Sequence, residues 1–243
     1  MKTILLLLAL FHACTFALDD VTLQLKWKHQ FQFAGFYMAK EKGFYKNENI
    51  NVHFKEYNSK TPVEEVLHGK AHFGVGDTAL IRAYASGKPL TALLAIYQNS
   101  PNVLVGIKNR SFKKSHPTVE VSHNTEINPN IHTMLMQIDN DYIRKKPTFD
   151  IEELIAGETD FISAYISNEP YQLQQKGYQA NILNPYDYGI DYYGDILFTS
   201  NALIKSNPEL VKSFYRASQK GWLYAFEHID ETVDLILKIT CIL

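Results

Sequence analysis

An α/β fold built from two similar lobes is what this sequence predicts, on three observations. First, residues 63–76 (VEEVLHGKAHFGVG) and 151–164 (IEELIAGETDFISA) echo each other at an offset of 88 residues, with four of fourteen positions identical. Both offer paired Glu residues at helical spacing, a Gly where the helix should stop, and an apolar run short enough for a buried strand. Second, each echo runs into a polar turn and a new helical pattern: Asp77-Thr78 before residues 79–87, and Asn168-Glu169-Pro170 before residues 171–177. Asp and Asn are helix N-caps, and Pro suits the first helical position. Third, strand and helix patterns alternate over the rest of the chain, the mark of an α/β protein. Ligands of open α/β sheets bind beyond the carboxyl ends of the strands. Two such units therefore predict a cleft between two lobes.

Residues 21–27 (VTLQLKW) alternate apolar and polar as a half-buried strand does, and residues 33–45 read as a helix stopping around Gly43. Residues 50–57 form a second strand, and the first echo follows. Residues 90–97 and 102–108 read as two further strands, and the polar stretch 110–130 as the crossing into the second lobe. That lobe contains residues 131–138, the second echo and a strand at 179–183. Residues 184–194 (NPYDYGIDYYG) are turn-rich, residues 196–199 form a strand, and 208–228 and 231–239 are helices. The expected division is a leader at 1–17, a first lobe of 18–108 plus 200–243, and a second lobe of 109–199. The chain closes on KITCIL without a capping element, so the expectation is a C-terminus short of a complete first lobe.

The leader reads as a secretory signal. Lys2 precedes the apolar run 4–11, with Thr15 and Ala17 at acceptable cleavage positions before Asp19-Asp20. The run is too short for a membrane span, which needs about 20 apolar residues. A lipid anchor on Cys14 is the weaker alternative, since His12 fits that pattern badly. The mature protein then keeps one cysteine, Cys241, which excludes an internal disulfide and a cysteine metal cluster. The 24 basic and 26 acidic residues form no basic block, so nucleic-acid binding has no support. No paired histidines at metal-ligand spacing, P-loop, dinucleotide fingerprint or hydrolase elbow occurs, so no metal or cofactor site is expected.

Candidate ligand residues follow from the strand-end rule. Trp27, Gln30 and Phe31, with His29, lie in the turn after the first strand, offering flat apolar faces and hydrogen-bonding groups to a planar ligand. Asp77 follows the first echo. Asn168 and Glu169 follow the second, where helix amides favour a carboxylate. Tyr97, Gln98, Tyr188 and Asp195 are candidate wall residues.

Lys26-Trp27, then Gly35-Phe36-Tyr37-Met38-Ala39 and Lys42-Gly43-Phe44-Tyr45, form an ordered set of motifs with the segments that follow. These are Phe73-Gly74-Val75-Gly76, Asn168-Glu169-Pro170-Tyr171, Asp187-Tyr188-Gly189-Ile190, Tyr193-Gly194-Asp195 and Gly221-Trp222. The set resembles solute-binding proteins related to the thiamine-pyrimidine synthase family, over roughly residues 20–240. The resemblance implies a two-lobe type II periplasmic-binding fold crossed twice by the chain. It also implies capture of a thiamine pyrimidine precursor for an ABC importer, with the permease as partner. The same family contains an iron-using synthase that makes the pyrimidine from pyridoxal phosphate and its own histidine. Its pattern places a Lys, and four residues on a His, where this chain has Gly76 and Leu80, and a cysteine-rich segment where it has residues 194–199. The second lobe also lacks the Leu-x-Gly-Lys turn of the binding proteins around residues 112–127. The expected function is thus an exported, periplasmic solute-binding protein for a small planar nitrogen heterocycle. The rival readings are the synthase and a ligand-sensing input domain of a membrane receptor.

Overall fold

A computed structural model describes residues 18–110, 116–122, 128–138, 141–148 and 150–241. The leader at 1–17, Cys14 included, lies outside the described residues, as does most of the 112–127 stretch. The strands in chain order are β1 (Asp19–Gln24), β2 (Ile50–Lys55), β3 (Phe73–Gly76), β4 (Leu90–Tyr97) and β5 (Asn102–Ile107). They continue with β6 (Thr118–Glu120), β7 (Ile143–Lys145), β8 (Phe161–Tyr165), β9 (Ala180–Leu183) and β10 (Gly194–Ser200). Among the described residues they form two five-stranded sheets, ordered β2-β1-β3-β10-β4 and β7-β6-β8-β5-β9.

The two orders are the same plan used twice. In each sheet three parallel strands are followed by one strand antiparallel to them and a last strand antiparallel to that one, and the fourth strand in order is the first that the chain enters after crossing from the other sheet. The two echoes end in β3 and β8, which hold the same place, third in order, in their sheets. The chain crosses between sheets twice, at residues 98–101 and 184–193. This moves the expected lobe boundaries. β5 pairs with β8 and β9 rather than with the first sheet, and β10 lies between β3 and β4 rather than in the second. Residues 102–108 therefore belong to the second lobe and residues 194–199 to the first. Each is an apolar strand that fits either sheet by pattern alone, and only pairing assigns it.

The helices are α1 (Ala34–Glu41), α2 (Phe44–Asn47), α3 (Pro62–Leu67), α4 (Ala79–Ala85) and α5 (Pro129–Ile138). After them come α6 (Ile151–Ala156), α7 (Glu169–Gln175), α8 (Asn201–Ser206), α9 (Pro208–Glu227) and α10 (Ile229–Cys241). The expected helix at 33–45 is split, because Gly43 takes φ +70° between α1 and α2. A capping box starts α3: the Thr61 side chain accepts from Glu64 N at 3.2 Å, and Thr61 N donates to Glu64 Oε2 at 2.8 Å.

The first lobe's core rests on α9 against α1 and the sheet. Phe214 stacks on Phe73 at 3.9 Å and on Tyr45 at 5.0 Å, and the buried Tyr45 hydroxyl meets Ser218 Oγ at 2.8 Å. The helices touch through glycine. A Cβ on Gly221 would stand 2.1 Å from Gly35 O and 2.5 Å from Ala39 Cβ, so no larger residue fits this crossing. The second lobe has two smaller apolar clusters, one on each face of its sheet, around Val103, Val105 and Leu173 and around Leu104, Val119 and Ile131.

Candidate functional site

The chain leaving β1 is pinned before it reaches the cleft. Gln24 is fully buried, and its Nε2 donates to Leu25 O at 3.0 Å, Lys55 O at 3.1 Å and Glu56 O at 2.9 Å. Glu56 in turn accepts from His29 N at 2.7 Å, and His29 Nδ1 lies 2.7 Å from the Tyr37 hydroxyl. The loop is thereby fixed at both ends, and Lys26 points from it into a polar cluster.

Lys26 Nζ lies 3.2 Å from Asp77 Oδ2 and 3.3 Å from Asp195 Oδ1, and 5.8 Å from the centroid of the Tyr165 ring. The Tyr165 hydroxyl donates to the same Asp195 Oδ1 at 3.0 Å. Lys26, Asp77 and Asp195 come from the first lobe, at the ends of β1, β3 and β10, while Tyr165 ends β8 of the second. The 88-residue offset of the echoes pairs Asp77 with Tyr165, so the two repeats deliver equivalent positions to one point between the lobes.

Asp195 is the unusual member. It is fully excluded from solvent, its backbone takes φ +43°, and its Oδ2 has no hydrogen-bond partner. A non-glycine residue in that region is strained, and an unsatisfied buried carboxylate oxygen is costly. Burial pushes the Asp195 carboxyl above its ordinary range, and Lys26 only partly offsets it. Burial pulls the Lys26 ammonium down, but Tyr165, Asp77 and Asp195 together outweigh that and hold it well above the usual lysine value. Tyr97, on the neighbouring strand, is pushed up to about 12, first by burial and then by the Asp195 charge.

The two crossings lie directly behind this cluster. Asn99 Nδ2 of the first donates to Asp191 Oδ1 of the second at 2.6 Å, and Thr78 Oγ1 donates to Tyr193 O at 2.7 Å. A Cβ on Gly194 would come within 2.6 Å of Pro101 Cδ, so the crossings approach this closely only because residue 194 is glycine.

Of the residues expected from sequence, Asp77, Tyr97 and Asp195 come together here. Asn168 and Glu169 stand at the edge: the Glu169 carboxylate accepts from Tyr165 N at 2.7 Å and from Asn168 Nδ2 at 2.9 Å. It shapes the loop that aims Tyr165 rather than standing open. Trp27 is partly buried against the first core and stacks on Tyr57 at 6.0 Å and 18°. Gln30 bonds to Gln32, and Phe31 is half exposed. Gln98 is exposed and donates to Ala95 O at 3.2 Å, and Tyr188 lies exposed in the turn after β9. Lys26 and Tyr165 were not singled out as ligand residues from sequence. Reading the echo position by position, Asp77 against Tyr165, is the signal that finds the second.

Gly76 and Leu80, where the synthase pattern has its Lys and His, face each other: a Cβ on Gly76 would meet Leu80 Cγ at 3.2 Å. Among the described residues no three His, Cys, Asp or Glu side chains converge to hold a metal, and no helix is long and apolar enough to cross a membrane.

Comparison with known proteins agrees with this architecture. The chain is 22% identical to the formylaminopyrimidine-binding protein of Halalkalibacterium halodurans, over 91% of this chain and 71% of that protein. It is 27% identical to the riboflavin-binding protein RibY of Chloroflexus aurantiacus, over 91% of this chain and 66% of that one. It is 24% identical to the 4-amino-5-hydroxymethyl-2-methylpyrimidine phosphate synthase of Legionella pneumophila, over 90% and 73%. Among solved structures, the alkanesulfonate-binding protein SsuA of Xanthomonas axonopodis pv. citri superposes with a TM-score of 0.70 at 11% identity, covering 91% of this chain and 79% of that one. The periplasmic aliphatic sulphonate-binding protein SsuA of Escherichia coli gives 0.65 at 14%, covering 90% and 78%. Both establish the periplasmic-binding-protein fold. The NMT1/THI5-like family pattern matches residues 30–232, and the chain belongs to that family.

Proposed function

We propose that this protein is an exported solute-binding protein that closes its two lobes on a small, planar nitrogen heterocycle, an aminopyrimidine precursor of thiamine, and delivers it to the permease of an ABC importer. The observation that carries this reading is the buried, unpartnered Oδ2 of Asp195 between the lobes. A carboxylate oxygen only accepts hydrogen bonds, so what completes it is a donor, and a ring-edge amino group supplies one. Two relatives are named for binding a nitrogen heterocycle, one of them an aminopyrimidine. The synthase reading has a relative too, but this chain has Gly76 and Leu80 where the family resemblance places the synthase Lys and His.

The test is calorimetry with a 4-aminopyrimidine and with riboflavin. The aminopyrimidine binds the wild type, and Asp195→Asn weakens it ten- to a hundred-fold. A hydrogen bond to a charged group contributes about 1.5–3 kcal/mol, and about 1.4 kcal/mol is one decade of affinity. Binding of riboflavin alone would move the ligand to the flavin class. Unchanged aminopyrimidine affinity in Asp195→Asn would remove the site from this cluster.

A further inference from the structure

The charge of the cleft cluster is unbalanced. Two carboxylates, Asp77 and Asp195, share one ammonium, and among the described residues Lys26 is the only cation ion-paired with either. The places where a strand-end cleft ordinarily offers donors to an anion are also taken by the chain's own acids. At the end of β3, Asp77 Oδ1 accepts from Ala79 N, the first amide of α4, at 2.9 Å. At the end of β8, Glu169 accepts from Tyr165 N at 2.7 Å. The Tyr165 hydroxyl and the Lys26 ammonium both meet Asp195 Oδ1, which leaves the buried Oδ2 without a donor.

We infer that the Lys26–Asp77–Asp195–Tyr165 cluster makes the cleft selective for uncharged or cationic hydrogen-bond-donating rings and excludes their phosphate esters. The inference rests on the heterocycle reading above and adds a charge class to it. An entering phosphate meets an excess carboxylate in a site shielded from water, finds the lysine already shared, and offers Asp195 no donor. A neutral aminopyrimidine completes Oδ2 and leaves the pairing intact. Asp77 is the discriminating charge and Tyr165 the positioning residue that fixes the carboxylate.

The experiment compares 4-amino-5-hydroxymethyl-2-methylpyrimidine with its phosphate ester, and riboflavin with its 5′-phosphate, by calorimetry on wild type and Asp77→Asn. Asparagine keeps an acceptor for Ala79 N, so a melting curve checks that the variant is folded. The expected result is at least ten-fold tighter binding of the unphosphorylated member in the wild type, with that ratio falling several-fold in Asp77→Asn. Equal or tighter binding of a phosphate ester to the wild type overturns the inference, as does a ratio that Asp77→Asn leaves unchanged. If no member of either pair binds, the heterocycle reading falls and the inference falls with it. Binding without discrimination sinks the inference alone.

Discussion

Replacing Lys26 by Met keeps the length of the side chain and removes the cation that faces two carboxylates. Asp195 is fully buried and keeps only the Tyr165 hydroxyl, while Asp77 is 15% exposed and retains some access to water. Breaking a buried ion pair from one side typically costs roughly 3–5 kcal/mol, because a charge is left without compensation. Protonation sets a ceiling on that loss. Adding a proton at pH 7 to a carboxyl with an ordinary pKa of about 3.9 costs about 4 kcal/mol, and at pH 5 about 1.5 kcal/mol. The expected loss is therefore about 3–4 kcal/mol at pH 7. Its sign with pH follows from the direction of the shift. Burial already raises the Asp195 pKa, and losing Lys26 raises it further, so the folded variant binds a proton that the unfolded chain has released. The deficit is full at pH 7 and narrows as pH falls toward 5. Equilibrium urea unfolding at the two pH values measures it, and Lys26→Met/Asp195→Asn should regain a large part of the loss. A deficit under about 1 kcal/mol at pH 7, or one that stays constant between pH 7 and 5, would refute the claim that a buried carboxylate depends on Lys26.

Two further outcomes follow from packing and capping. Gly221→Ala drives a methyl group into Gly35 O and Ala39 across the α1–α9 contact, so it should destabilise the first lobe by about 3 kcal/mol or more, read as a large drop in urea midpoint. Thr61→Ala removes the acceptor for Glu64 N at the start of α3 and should lower stability by about 1 kcal/mol, read as a drop in urea midpoint; an unchanged midpoint would show that this cap contributes nothing.

The elements themselves were largely legible in the sequence. The half-buried strand β1 was visible in VTLQLKW, and the break in the first helix at Gly43 appeared as a stop. Asp77 was legible as a site candidate because it follows the first echo's strand, and Asp195 as a wall residue because it closes the Tyr- and Asp-rich turn before the last strand. Tyr97 belongs with them only through its position on β4, beside β10. Trp27 and Glu169 read equally well from sequence. In the folded chain Trp27 stacks on Tyr57 from the loop after β2, and Glu169 accepts from Tyr165 N and Asn168 Nδ2 within its own loop.

By itself the sequence determined the α/β class, the repeated helix–strand–helix unit and the two-lobe plan. Those follow from local periodicity and from an echo that each segment carries in its own residues. Only the tertiary structure decided which sheet receives β5 and β10, since both are short apolar runs whose pattern satisfies either core. It alone also brought Lys26, Asp77, Asp195 and Tyr165, drawn from the ends of four strands and from both lobes, to one point around the buried Asp195 carboxyl. Strand pairing and lobe docking are set by contacts between residues distant in the chain, and those contacts leave no periodic trace along it.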